Sequence, residues 1–149
     1  MLFRSGSAAA SPAPPTRDMV VADGERLTVG GTTLTFYTTP GHTAGALSTL
    51  VPVTDGGQRH LAFLLGGPRT VSLATSREMA ASTERIATLA KNAGVDVELN
   101  DHSYIDDSLP LLEAVRKRQP GEANPFVVDR KSTRLNSSHV SNLVCRLLL

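Results

Sequence analysis

Residues 39–45 read Thr39-Pro40-Gly41-His42-Thr43-Ala44-Gly45. The Pro-Gly pair stops any strand before it, and a histidine then stands at the tip of the turn. Small neighbours let the backbone approach closely and are expected to leave the imidazole open. A histidine at a strand end is a common form of zinc ligand, with a metal–nitrogen bond of about 2.0–2.1 Å. Thr43 or a nearby carbonyl would orient its second ring nitrogen. The same residues equally describe a turn histidine that binds no metal.

Working upstream, Asp23-Gly24 and Gly30-Gly31 are turn signals. They frame two strands, Arg26–Val29 and Thr32–Thr38, as a hairpin. In the second strand Leu34 and Phe36 share one face, and Thr33, Thr35 and Tyr37 the other. Downstream, Ala46–Val53 is the next strand, Asp55-Gly56-Gly57 a turn, and His60–Leu65 a strand apolar enough to be buried. Gly66-Gly67-Pro68 stops it. Thr75–Ala93 reads as a helix: Thr75 and Glu78 have capping-box spacing, Met79, Thr83, Ile86 and Ala90 recur at helical spacing, and Gly94 sits at the C-terminal cap. Val95–Leu99 is a short strand. A second helix starts at Asp107 or Ser108, carries Leu109, Leu112 and Val115 on one face, and ends before Pro120-Gly121. Strands followed by helix–strand–helix predict an α+β or layered α/β domain without internal repeats.

A second histidine lies in Leu99-Asn100-Asp101-His102-Ser103, again just past a strand. His42 and His102 are therefore expected at one edge of the fold. To act in one site they must lie within about 12 Å of each other. His60 opens an apolar strand beside Arg59 and reads as structural. Asp101, Asp106 and Asp107 read as caps of the following helix, with a catalytic carboxylate among them as the alternative. No nucleophile elbow, phosphate loop, paired-cysteine motif or dinucleotide fingerprint is present.

The 149 residues suffice for one domain with a core. Aromatics are 4% and tryptophan is absent, so aliphatic residues must fill that core. No apolar run approaches the roughly 18 residues of a membrane span. Residues 1–17, with Pro12, Pro14 and Pro15 amid Ala and Ser, read as a disordered lead-in and lack the apolar region of a signal peptide. A lone Cys145 excludes an internal disulfide and a cysteine zinc cluster. The net charge of +1 is unevenly placed: residues 130–149 hold four bases and no acid, leaving eleven bases against fourteen acids before them. The mildly acidic body argues against a nucleic-acid partner. The tail, with Arg130-Lys131-Ser132-Thr133-Arg134-Leu135-Asn136-Ser137-Ser138-His139-Val140, resembles translated sequencing-adapter read-through and is expected to lie outside the domain. His139 and Cys145 carry no expected role.

Taken together, Asp23-Gly24, Leu27-Thr28-Val29-Gly30-Gly31 and Thr39-Pro40-Gly41-His42-Thr43-Ala44-Gly45-Ala46-Leu47-Ser48 resemble the middle of a metallo-β-lactamase-fold hydrolase. Gly94-Val95-Asp96-Val97-Glu98-Leu99-Asn100-Asp101-His102 and Gly121-Glu122-Ala123-Asn124-Pro125-Phe126-Val127 resemble the C-terminal half of its third-subclass-like branch. The resemblance spans residues 18–128. It implies a four-layer αββα sandwich with a metal site at one edge of its two sheets, of which this chain would form the C-terminal half. It also implies that His42 completes the first of two zinc sites and that His102 helps hold the second. The family's main ligand motif, His-x-His-x-Asp-His, is absent, so the chain is expected to open on the second half. The bridging Asp of many relatives is missing too, with Gly66-Gly67 in its place, as in the lactamase-like branch.

The function this implies is zinc-dependent hydrolysis of an acyl bond in a small molecule, whether a β-lactam, a lactone or a thioester. The chain alone is expected to be inactive and poorly soluble without an N-terminal half of the same fold. No membrane partner is expected, and the compartment stays open, although lactamase-like relatives are often periplasmic or secreted. The rival is a non-enzymatic pseudo-enzyme or interaction module whose histidines are plain turn residues.

Overall fold

The computed structural model describes residues 19–67, 75–102 and 108–128. Residues 1–17 and 130–149, expected to lie outside the domain, fall outside the described residues, as do Asp106 and Asp107.

Five strands form one sheet in sequence order: β1 (Arg26–Val29), β2 (Thr32–Thr38), β3 (Leu47–Asp55), β4 (Gln58–Leu65) and β5 (Val97–Asn100). The first four run antiparallel, and β5 joins β4 in parallel. The β1–β2 and β3–β4 hairpins each turn on two glycines at positive φ, Gly30-Gly31 (55° and 83°) and Gly56-Gly57 (55° and 85°). A two-residue turn that follows the right-handed twist of its strands needs positive φ at both central residues.

The parallel pairing of β4 and β5 requires a crossover, which α1 (Ser76–Ala93) supplies. Its C-terminus closes as predicted at Gly94 (φ 72°): the Gly94 and Val95 amides donate to Lys91 and Ala90 carbonyls, at 3.3 and 3.0 Å. The predicted capping box does not form. Thr75 has φ −93° and ψ −1° and makes no side-chain cap hydrogen bond. That is helical backbone, whereas a capping residue needs an extended one to swing its oxygen over the first amides.

The register places Leu50 opposite Phe63 and Pro52 opposite Leu61 on one sheet face. There Leu50, Phe63 and Leu65 bury against Ala90 and Val95, with Tyr37, Leu61, Ile86 and Leu89 around them. The opposite face is apolar as well: Val51 faces Ala62, Ala62 neighbours Val97, and Leu64 neighbours Leu99. A sheet apolar on both faces belongs to a layered structure. In the described residues the chain provides one sheet and its helical layer. Arg85 of α1 ties the N-terminal turn down, meeting Asp23 at 2.6 Å and the Thr38 carbonyl at 2.9 Å.

The second helix, α2 (Ser108–Lys117), begins at one of the two predicted starts. Its apolar periodicity does not translate into burial: Leu109 and Leu112 are exposed.

Candidate functional site

β2 and β5 end at the same edge of the sheet. β2 runs out at Thr38, and the next four residues form a loop clamped from three sides. Below it, the buried Thr39 hydroxyl bonds to that of Ser48 on β3 at 2.8 Å, and Ser48 Oγ accepts the Gly66 amide at 3.2 Å. From α1, the Ser82 hydroxyl donates to the Pro40 carbonyl at 2.7 Å. Met79 packs so closely on Gly41 that a Cβ there would lie 2.6 Å from Met79 Cα. Third comes the end of β4. A Cβ on Gly66 would sit 1.8 Å from the Leu47 carbonyl oxygen, and one on Gly67 would sit 2.5 Å from His42 Cβ. The small residues thus let the backbone approach closely, but the His42 imidazole is half-buried rather than open, because Gly67 walls it.

β5 delivers the second histidine. Its last residue, Asn100, accepts the His102 amide on its side-chain oxygen at 3.0 Å. The His102 ring then meets the His42 ring edge to face, with centroids 5.2 Å apart and planes at 78°. Two side chains sixty residues apart in sequence therefore stand in contact.

Asp101 does something other than the predicted helix capping. Its Oδ1 lies 2.6 Å from His102 Nδ1, and both its oxygens accept the Gly67 amide, at 3.2 and 3.1 Å. Partial burial pushes the carboxyl up. The hydrogen bonds from His102 and Gly67, with the nearby imidazole charge, outweigh it and hold the group below the usual carboxylate range. The sequence hints only at its contact with His102, through an acid immediately before a strand-end histidine.

His60 is structural, as its position suggested. Its Nδ1 pairs with Asp96 at 2.9 Å, and Asp96 also accepts the Leu61 amide at 2.9 Å. That pair ties β4 to the segment before β5, away from the histidine edge.

Among solved structures, the chain resembles the Rm3 metallo-β-lactamase at 26% identity over 91% of its own length and 52% of that chain, with a TM-score of 0.68. The FEZ-1 metallo-β-lactamase of Legionella gormanii matches at 25% identity over 90% and 51%, with a TM-score of 0.66. The chain has the metallo-β-lactamase fold. BJP-1, a subclass B3 metallo-β-lactamase of Bradyrhizobium japonicum, matches at 22% identity over 88% of this chain and 47% of that one, with a TM-score of 0.61. The chain thus spans about half the length of the metallo-β-lactamases it matches. No family model matches it, and no curated protein matches it by sequence.

Two imidazoles in contact, one with a carboxylate on its Nδ1, are side chains of the type that bind zinc, with a group of the type that orients such a ligand. Among the described residues no group of three or more histidine, cysteine or acidic side chains is arranged to hold a metal. The residues fit part of a zinc site.

Proposed function

We propose that this chain contributes His42 and His102 to the zinc centre of a metallo-β-lactamase-fold hydrolase acting on an acyl bond of a small molecule, such as a β-lactam, lactone or thioester. The observation that carries the reading is the contact of the two rings, 5.2 Å between centroids, at the edge where β2 and β5 end. In the fold's two-metal arrangement His42 would serve one zinc and His102 the other.

Bound zinc lowers the pKa of a water to about 7 and polarises a carbonyl. The chain's own residues do the holding. Thr39, Ser48 and Ser82 fix the loop that carries His42, and Asn100 and Asp101 fix the strand end that carries His102. A catalytic zinc takes about three protein ligands. One imidazole for each metal is too few to hold it or to orient a water, so the remaining ligands must come from an N-terminal half of the same fold.

The test is hydrolysis of a chromogenic cephalosporin, an acyl-lactone and a thioester in excess zinc. The chain alone should show no measurable turnover. Mixed with an N-terminal half carrying His-x-His-x-Asp-His, it should turn over one of them, and His42→Ala with His102→Ala should abolish that. Turnover by the chain alone that the double variant removes would show that the half-site suffices. Turnover by the mixture that is indifferent to both substitutions would remove the histidines from the reaction.

A further inference from the structure

Asp101 touches His102 directly and is linked to His42 only by way of Gly67. Its Oδ1 lies 2.6 Å from His102 Nδ1. Its two oxygens share the Gly67 amide at 3.2 and 3.1 Å. Gly67 in turn presses on the other ring, where a Cβ would fall 2.5 Å from His42 Cβ and 2.6 Å from His42 Cγ. An acid next to a histidine in sequence could meet it by proximity alone. The Gly67 amide, which comes from the end of a different strand, is what pins the carboxylate in place.

We propose that Asp101 is the positioning residue of the two-histidine edge, fixing His102 with its proton on Nδ1 and its lone pair on Nε2 while holding Gly67 against His42. The inference rests on the reading of this edge as a zinc centre for its purpose, but not for its geometry. An ionised carboxylate only accepts hydrogen bonds, so a 2.6 Å contact with Nδ1 requires a hydrogen on that nitrogen. A neutral imidazole with its proton there presents Nε2 as the donor atom to a metal. A carboxylate behind a metal-binding imidazole sets both tautomer and ring plane, and losing such a partner typically costs about 10- to 100-fold in metal affinity. Glycine at position 67 suits the same design, since any side chain would collide with His42.

The experiment uses the full 149-residue chain labelled with ¹⁵N. Long-range proton–nitrogen correlation of the imidazoles, without metal and above pH 8, reads the tautomer of His102. Zn²⁺ titration then reads affinity, on the same samples, for the chain and for Asp101→Asn and Asp101→Ala. The proton is expected on Nδ1 in the unsubstituted chain and to move toward Nε2 in Asp101→Ala, which leaves no acceptor there, whereas the Asp101→Asn oxygen can still accept from Nδ1. Zinc binding should weaken about 10- to 100-fold in both. Finding the proton on Nε2 in the unsubstituted chain overturns the proposal, whether or not a variant folds. So does an unchanged tautomer in folded Asp101→Ala. If the unsubstituted chain shows the Nδ1 tautomer yet no zinc response at any concentration, Asp101 still positions the ring and the zinc reading fails instead.

Discussion

Gly41 and Met79 meet backbone to backbone: a Cβ on Gly41 would lie 2.6 Å from Met79 Cα and 2.8 Å from Met79 N. Gly41 also has a φ of 139°, a conformation in which a side chain is strained. The histidine loop can therefore lie on α1 only with glycine at this position. Neither contact atom belongs to a flexible side chain, so a larger residue must displace the loop.

Gly41→Ala is expected to destabilise the chain by about 1–3 kcal/mol, the range for a strained backbone position. It should also shift the His42 ring resonances, because His42 is the next residue. Urea midpoints and imidazole spectra check both. A stability change under about 0.5 kcal/mol, as for an ordinary surface substitution, would show that the loop is not clamped.

The core and α2 should respond in opposite ways. Phe63 is fully buried at the centre of the helix-side cluster. Phe63→Ala should cost about 3–5 kcal/mol, from lost burial and the cavity left behind. Leu109, 58% exposed on α2, should tolerate Leu109→Ala within about 0.5 kcal/mol. Comparable losses at both sites would mean that α2 packs where its exposure says it does not.

Asp23 predicts a pH dependence. The Arg85 guanidinium and the Thr38 amide and hydroxyl bring its pKa from 3.8 down to about 2. A carboxyl with a lower pKa in the folded state stabilises the fold fully above its unfolded pKa. That contribution is lost as pH falls through the folded one. The window here is therefore about pH 4 to pH 2. Both side chains are well exposed, Arg85 at 39% and Asp23 at 45%, which limits the effect to about 1 kcal/mol or less. Asp23→Asn should lower stability at pH 5 and draw level with the unsubstituted chain near pH 2. A difference unchanged across that interval would separate the pair from stability.

Much of the sheet was legible because backbone chemistry dictates it. Gly30-Gly31 fixes where β1 stops and β2 starts, and Gly94 fixes the end of α1. The hairpin of β3 and β4 runs further than its apolar pattern, to Asp55 and Gln58. The ladder there continues through polar residues that carry no burial signal. Thr75 had the spacing of a cap but not the backbone, and spacing alone does not report φ and ψ. His42 and His102 were legible as strand-end residues. The role of Asp101 was not, because its second partner, Gly67, lies 34 residues earlier. Proximity to a helix start made it look like a cap, whereas the contact that defines it depends on the parallel pairing of β4 and β5.

The most direct test of the account is the position of zinc itself. Crystals of the full chain soaked in excess Zn²⁺ should give anomalous density at the zinc edge, bonded to an imidazole nitrogen of His42 or His102 at about 2.0–2.1 Å. That density should vanish in His42→Ala, His102→Ala crystals. Zinc bound only elsewhere on the chain, for instance at His60 and Asp96, with none at the His42–His102 edge, would contradict the assignment of this edge as a metal centre.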